Sequence, residues 1–201
     1  FVVQPEGIVQ SKQKYIDNTN VLQTIFYTKA GQVIITDFMP PFKKKTVWHK
    51  HQILFRKIEC IKGRVNLSAE FQPRFNYAKN KAELNLTENG LLAESKDEKI
   101  YLDAPFHFAI KKQDAKGSFS LAEKENVWLI LQYNSHNIFN NREAEKELKS
   151  TIKYWQKWAH KCERSKCVFN GPWHDLVVRS GLVLKLLTHG ETGAIAAAAT
   201  T

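Results

Sequence analysis

The chain has 201 residues, 43% of them hydrophobic and 25% charged, with nine Gly and six Pro, a composition that belongs to a folded globular protein and excludes collagen-like, mucin-like and disordered classes. No apolar run approaches the ~20 residues needed to span a bilayer, and Phe1-Val2-Val3-Gln4-Pro5 lacks the basic region and long apolar core of a signal peptide, so a soluble chain with no membrane partner is expected. The formal net charge of +10 suggests nucleic-acid binding, but Arg occurs only at Arg56, Arg64, Arg74, Arg142, Arg164 and Arg179, and the Lys excess is spread out, with Lys43-Lys44-Lys45 the densest run; a solvated Lys-rich surface is expected and no nucleic-acid partner.

From Asn20 to about Leu131 apolar positions recur with a period of two, which predicts strands. Val21–Thr28 and Val33–Phe38 flank Lys29-Ala30-Gly31-Gln32, where Gly31 can take positive φ, and read as a hairpin ended by Met39-Pro40-Pro41. A second hairpin is predicted with Lys62-Gly63 as its turn: Leu54, Ile58 and Cys60 share one face, and Val65, Leu67, Ala69 and Phe71 return on one face with Arg64, Asn66, Ser68, Glu70 and Gln72 on the other, which is wet or faces a second layer. Short strands follow at 84–86, 90–93, 99–102, 106–110, 119–121 and 127–131. Eight to ten strands without helical interruption predict an antiparallel β-sandwich and exclude a parallel α/β fold.

After Asn140-Asn141 the period lengthens. Leu148, Ile152, Trp155, Ala159 and Cys162 form one stripe of an amphipathic helix over about Arg142 to Lys161, with Glu residues early and Lys residues late. Asn170-Gly171-Pro172 punctuates the chain. From Trp173 to Thr188, Leu176, Val177, Val178, Leu182, Val183, Leu184, Leu186 and Leu187 make a helix apolar on nearly every side; the sandwich could cover one side of it, and a partner or a further domain is expected to cover the rest.

The motifs of chemistry are weak. Cys162 and Cys167, with His160 and His174 nearby, resemble a metal site only loosely, and Cys162 sits on an apolar stripe. His49-Lys50-His51 lacks a third ligand. No metal and no cofactor are therefore expected. Three cysteines, Cys60, Cys162 and Cys167, are too few for a disulfide framework and point to a reducing, cytoplasmic compartment. Trp48, Phe71, Phe75, Tyr77, Phe106 and Phe108 could stack on sugars if aligned on an exposed sheet face, but their spacing favours a sandwich core. No phosphate loop, nucleophile elbow or Ser/His/Asp set is present.

Asp37-Phe38-Met39-Pro40-Pro41, Gly63-Arg64-Val65 running to Pro73-Arg74-Phe75-Asn76-Tyr77, Thr151 to Trp158, Gly171-Pro172-Trp173 with Arg179-Ser180 and Leu184-Lys185-Leu186-Leu187, and Thr192-Gly193-Ala194-Ile195 to Thr200-Thr201 are together similar to successive blocks of the bacterial and archaeal glycoside hydrolase family 15. That family includes glucoamylases, glucodextranases and trehalase-like enzymes. The resemblance implies a mainly β fold, an antiparallel β-sandwich followed by a linker helix and the first helix of an (α/α) toroid. The corresponding domains are a β-sandwich over residues 1–140, a linker helix over 141–170, and the start of the toroid over 171–201.

The resemblance further implies inverting hydrolysis of an α-linked glucoside by two carboxyl groups ~6.5–9.5 Å apart. Both are Glu residues of later toroid loops, so no catalytic residue is expected in this chain, and the glucoside would be met through a downstream catalytic domain. Gly193 to Thr201 would lead toward the sugar pocket, making Ala199, Thr200 and Thr201 pocket-adjacent. Ala196 stands where Val is common and Ala199 where Pro is common, and the segment stops before the family's substrate-binding Arg. The absence of Met at residue 1 and the ending Ala196-Ala197-Ala198-Ala199-Thr200-Thr201 lead to the expectation that both ends continue into a longer protein. A stand-alone carbohydrate-binding sandwich is the rival reading, and a homo-oligomer is left open.

Overall fold

The computed structural model describes residues 1–41, 52–159, 171–189 and 192–197. Among them eleven strands precede two helices: β1 (Val2–Pro5), β2 (Ile8–Tyr15), β3 (Leu22–Thr28), β4 (Gly31–Phe38), β5 (Gln52–Phe71), β6 (Glu83–Thr87), β7 (Gly90–Ser95), β8 (Glu98–Asp103), β9 (Phe108–Lys111), β10 (Asp114–Ala122), β11 (Asn126–Tyr133), α1 (Asn141–Ala159) and α2 (His174–Leu186). The fold is mainly β, with an antiparallel sheet ordered β2-β3-β4-β5-β11-β8-β7-β6, to which β1, β10 and β9 add through the far half of β5. The expected strands between residues 21 and 131 are present. Two more, β1 and β2, lie ahead of Asn20, where polar residues hide the alternation: β2 is exposed along its whole length.

The second predicted hairpin is not formed. Residues 52–71 are one strand that crosses from one limb of the sheet to the other. Up to Gly63 it pairs with β4 and β11, and from Arg64 onward with β10 and β1. Gly63 does take positive φ, +77°, but the result is a bend in a continuous strand rather than a reversal. Gly31 lies opposite Gly63 across the β4–β5 pairing. A Cβ on Gly63 would sit 2.1 Å from the Ala30 carbonyl oxygen, and one on Gly31 2.0 Å from that of Lys62. The requirement for glycine at Gly31 is therefore this close backbone approach rather than a turn conformation. The β3–β4 hairpin is present, with Thr28 Oγ1 accepting from the Gly31 amide at 3.0 Å.

Bending β5 lays the two limbs face to face. Val33 and Ile35 of β4, Ile58 and Cys60 of the first half of β5, and Leu129 of β11 share a core with Val65, Leu67, Ala69 and Phe71 of its second half, and with Leu91, Ala93 and Leu102. Period-two alternation sends the remaining side chains of the same central strands the other way. Phe38, Ile53, Phe55, Trp128 and Ile130 form a second core with Ala144, Leu148 and Trp155 of α1 and Leu182 of α2. Phe38 and Phe55 stack with centroids 5.1 Å apart, and Trp128 meets both edge-on. In the second half of β5 the alternate positions, Arg64, Asn66, Ser68 and Glu70, border solvent.

Helix α1 starts where its capping groups dictate. The Glu143 amide donates to Asn140 Oδ1 and the Asn140 amide donates to Glu143 Oε2, each at 3.0 Å, a reciprocal capping box. Its buried positions are Ala144, Leu148, Thr151 and Trp155, which overlap the predicted stripe; Cys162 lies outside the described residues. Lys57 Nζ, 2.9 Å from both Glu59 and Glu145 and over the Trp128 ring, ties α1 to β5. Helix α2 is covered on one side, and much of its apolar surface is exposed. Only His174 and Leu182 are buried on it, while Leu176, Leu184 and Leu186 are 52–60% exposed.

Two substitutions test this packing. Gly63→Ala combines a left-handed backbone with a clash against a carbonyl that cannot move aside, and is expected to cost about 3 kcal/mol or more, against about 0.5 kcal/mol or less for Gly171→Ala, which faces open space. Thermal melts of the two variants check it. Trp155→Ala is expected to cost about 3–5 kcal/mol, because Trp155 is 5% exposed in the sheet–helix core; an unchanged Tm would show that the stripe is not a packing face.

Candidate functional site

The residues expected nearest to a sugar, Ala199, Thr200 and Thr201, lie outside the described residues, as do Lys43-Lys44-Lys45, Trp48, His49, His51, His160, Cys162 and Cys167. The segment that leads to them is described as far as Ala197. After α2 the His189 amide donates to the Ala194 carbonyl at 2.7 Å and the Ala196 amide to that of Leu187 at 3.0 Å.

What seats α2 is polar. The β2–β3 connection is a compact turn in which the Ile16 and Val21 backbones pair and Thr19 Oγ1 donates to the Ile16 carbonyl at 2.7 Å. Against it lies Arg179: Nη1 donates to the Thr19 carbonyl at 2.7 Å, Nη2 donates to Asn20 Oδ1, and the guanidinium stacks 4.2 Å from the Tyr15 ring centroid. Asn20 answers by donating from Nδ2 to the Leu182 carbonyl at 3.0 Å. Gly181 packs on the Trp158 indole, where a Cβ would be 3.6 Å from the ring. Arg179 stands in one of the family-like blocks, whereas Tyr15, Thr19 and Asn20 belong to none. Only the turn-forming composition of Asp17-Asn18-Thr19-Asn20 marks that place in the sequence.

A continuous row of contacts leads from this clamp across one end of the sandwich. Tyr15 pairs with Leu22, Leu22 with Asp37, and Asp37 with Arg56. Arg56 Nε holds Asp37 Oδ1 at 2.7 Å and its guanidinium lies over the Phe1 ring, which meets Phe71 edge-on. From Phe71 the chain enters the loop to β6. Arg74 Nη2 bonds Asp114 and Phe75 is buried, with a bridge closing Phe75 to Asn80. Between them Asn76, Tyr77 and Ala78 all have positive φ, at +46°, +55° and +63°. Left-handed helical conformation costs about 1–2 kcal/mol per non-glycine residue and is ordinarily adopted by single residues. Tyr77 crowns this turn at 73% exposure.

Several acidic side chains are paired. Asp37 pairs with Arg56, Asp103 with His136, Glu145 and Glu59 with Lys57, and Glu98 accepts from the Tyr133 hydroxyl at 2.7 Å. That acceptor raises the Tyr133 hydroxyl above the usual tyrosine range, and burial pushes the Cys60 thiol up. Among the described residues no group of three or more His, Cys, Asp or Glu could hold a metal. No helix among the described residues is long and apolar enough to cross a membrane. A shallow concavity of about 410 Å³ lies along β9 and β10, lined by His107, Phe108, Lys116 and Ser118. Of the aromatics considered as a sugar platform, Phe71, Phe75 and Phe108 are core residues and Phe106 packs against it, with its ring on Phe119; Tyr77 is exposed.

A protein family described as trehalase-like, N-terminal, matches residues 1–155. The chain belongs to that family. Its relatives include trehalases of Thermoplasma volcanium, 29% identical over 94% of this chain and 30% of that protein, and of Mycolicibacterium smegmatis, 25% identical over 100% of this chain and 33% of that protein. The trehalase of Thermoplasma acidophilum is 28% identical over 94% of this chain. The chain therefore spans about a third of the length of the curated relatives it matches. Among solved structures, a putative kojibiose phosphorylase from the human microbiome covers 88% of this chain and 26% of its own, at a TM-score of 0.44 and 9% identity.

The clamp makes a further expectation for this trehalase-like N-terminal domain. Arg179→Ala removes both guanidinium bonds and the Tyr15 stack, and is expected to cost about 1.5–3 kcal/mol, with Arg179→Lys recovering little because a single ammonium cannot bridge Thr19 and Asn20. Hydrogen exchange at α2 amides, faster in both variants, reads this loosening.

Proposed function

We infer that this chain is the N-terminal, structural part of a glycoside hydrolase of the family 15 kind, trehalase-like, which hydrolyses an α-linked glucoside with inversion. Membership of the trehalase-like N-terminal family carries the reading, and trehalase relatives covering nearly the whole chain support it. The role assigned to the chain is to frame the catalytic domain rather than to catalyse. That assignment is supported by the resemblance to family 15, in which the two carboxyls of the mechanism belong to later toroid loops. In this reading residues 1–140 are the sandwich, 141–170 the linker and 171–201 the entry to a toroid, with α2 its first helix and Ala199, Thr200 and Thr201 near the pocket. The glucoside meets the protein through the catalytic domain.

The test uses two proteins. The full-length protein is expected to release glucose from trehalose or another α-glucoside; inversion on trehalose gives one β-glucose from the attacked centre and one α-glucose as the leaving group, seen by NMR before mutarotation. The 201-residue chain is expected to release none, since losing either carboxyl removes a step worth about 10²–10⁴-fold. Turnover by the short chain after controls for host enzymes would refute the structural role, and α-glucose alone from trehalose, with no β-glucose before mutarotation, would refute inversion.

A further inference from the structure

We propose that Tyr77 is a substrate-contact residue, its ring packing on a glucosyl unit at the mouth of the catalytic pocket; this rests on the α-glucosidase reading above. The turn that carries it is three successive left-handed residues, Asn76, Tyr77 and Ala78. Glycine would adopt that backbone without strain, and asparagine tolerates it. A tyrosine at the middle position is the disfavoured choice, and at 73% exposure it gains little burial in return. Its neighbours hold it rigidly: Phe75 is sunk in the sandwich core, the Lys79 amide donates to the Asn76 carbonyl at 3.0 Å, and Arg74 is fixed to Asp114 at 2.8 Å. An aromatic ring is thus presented outward on an anchored, strained backbone, a combination that marks functional positions.

The loop also points to the right end of the domain. The row Tyr15, Leu22, Asp37, Arg56, Phe1, Phe71 joins the α2 clamp to the start of this loop. Its first three steps are strand spacings, about 14 Å in all. The loop therefore leaves the same end of the sandwich at which α2, the helix assigned to the toroid, is seated. The tyrosine ring offers an apolar face to the C–H groups of a pyranose. Such a contact holds the sugar without touching the bond that breaks.

The experiment measures kcat, KM and Tm of the full-length protein on trehalose and maltose for the wild type, Tyr77→Asn and Tyr77→Phe. Asn keeps the left-handed backbone while deleting the ring, so the variant folds. The expected result is a KM raised about tenfold in Tyr77→Asn, the size of one lost aromatic contact, with kcat and Tm nearly unchanged and Tyr77→Phe close to wild type in KM. An active wild type with an unchanged KM in Tyr77→Asn overturns the proposal alone. A fall in Tm without a change in KM also overturns it, in favour of packing between domains. A wild type that hydrolyses no α-glucoside overturns both the proposal and the reading on which it rests.

Discussion

The molecule is organised around a backbone contact that admits no side chain. At Gly63 the longest strand passes the β3–β4 turn so closely that its α-carbon faces the Ala30 carbonyl, and at Gly31 the reciprocal approach brings the Lys62 carbonyl in. Two glycines facing each other across a ladder allow a 20-residue strand to serve two limbs of one sheet. Without that bend, Val65, Leu67, Ala69 and Phe71 would continue away from Ile58 and Cys60 instead of sharing a core with them. The cost of the bend is local strain; its return is a closed two-layer core from a single strand, with no crossover connection.

Folding the sheet over one face leaves the other face of β4, β5 and β11 to be covered, and α1 covers it. The aromatic set Phe38, Phe55 and Trp128 is too large to leave in water, since each such side chain is worth about 1.5–3 kcal/mol on burial. Lys57 brings its charge down to this layer only because Glu59 and Glu145 meet it at 2.9 Å and the Trp128 face lies beneath it. Helix α1 is for this reason a third layer of the sandwich as much as a connection out of it. The family match, which runs to residue 155, extends well into that helix.

Where one face of a strand is buried, the sequence is legible. Residues 65–71 alternate cleanly because one face meets a core, residues 33–38 and 127–131 are apolar on both faces because each face meets a core, and Leu148 and Trp155 recur at helical spacing because they are buried. Strand β2 is exposed on both faces, so Gln10, Lys12 and Lys14 carry no pattern, and its lysines suit an edge that must not recruit another chain. The misread at Lys62-Gly63 has a similar cause. A glycine with positive φ between two alternating runs is the signature of a hairpin, and only the partners of each run distinguish a reversal from a bend. Site geometry was least legible: the Arg179 clamp joins residues about 160 apart in sequence, and the left-handed turn at Tyr77 uses none of the glycines that would announce it.

Helix α2 is turned the opposite way to a helix that belongs to the sandwich. Toward the sandwich it presents a guanidinium and a backbone carbonyl, received by Thr19, Asn20 and Tyr15, with Leu182 the one large apolar side chain fully buried there. Away from it stand Leu176, Val177, Val183, Leu184 and Leu186. A surface helix is ordinarily arranged in reverse, with leucines inward and polar groups outward. Directional hydrogen bonds fix the angle and register of a helix better than apolar packing, which tolerates sliding, so a polar seat sets α2 in place while leaving its apolar side to another layer. On the proposed reading that layer is the toroid. The sandwich then contributes orientation to the catalytic domain, and the toroid contributes the burial that the leucines of α2 require.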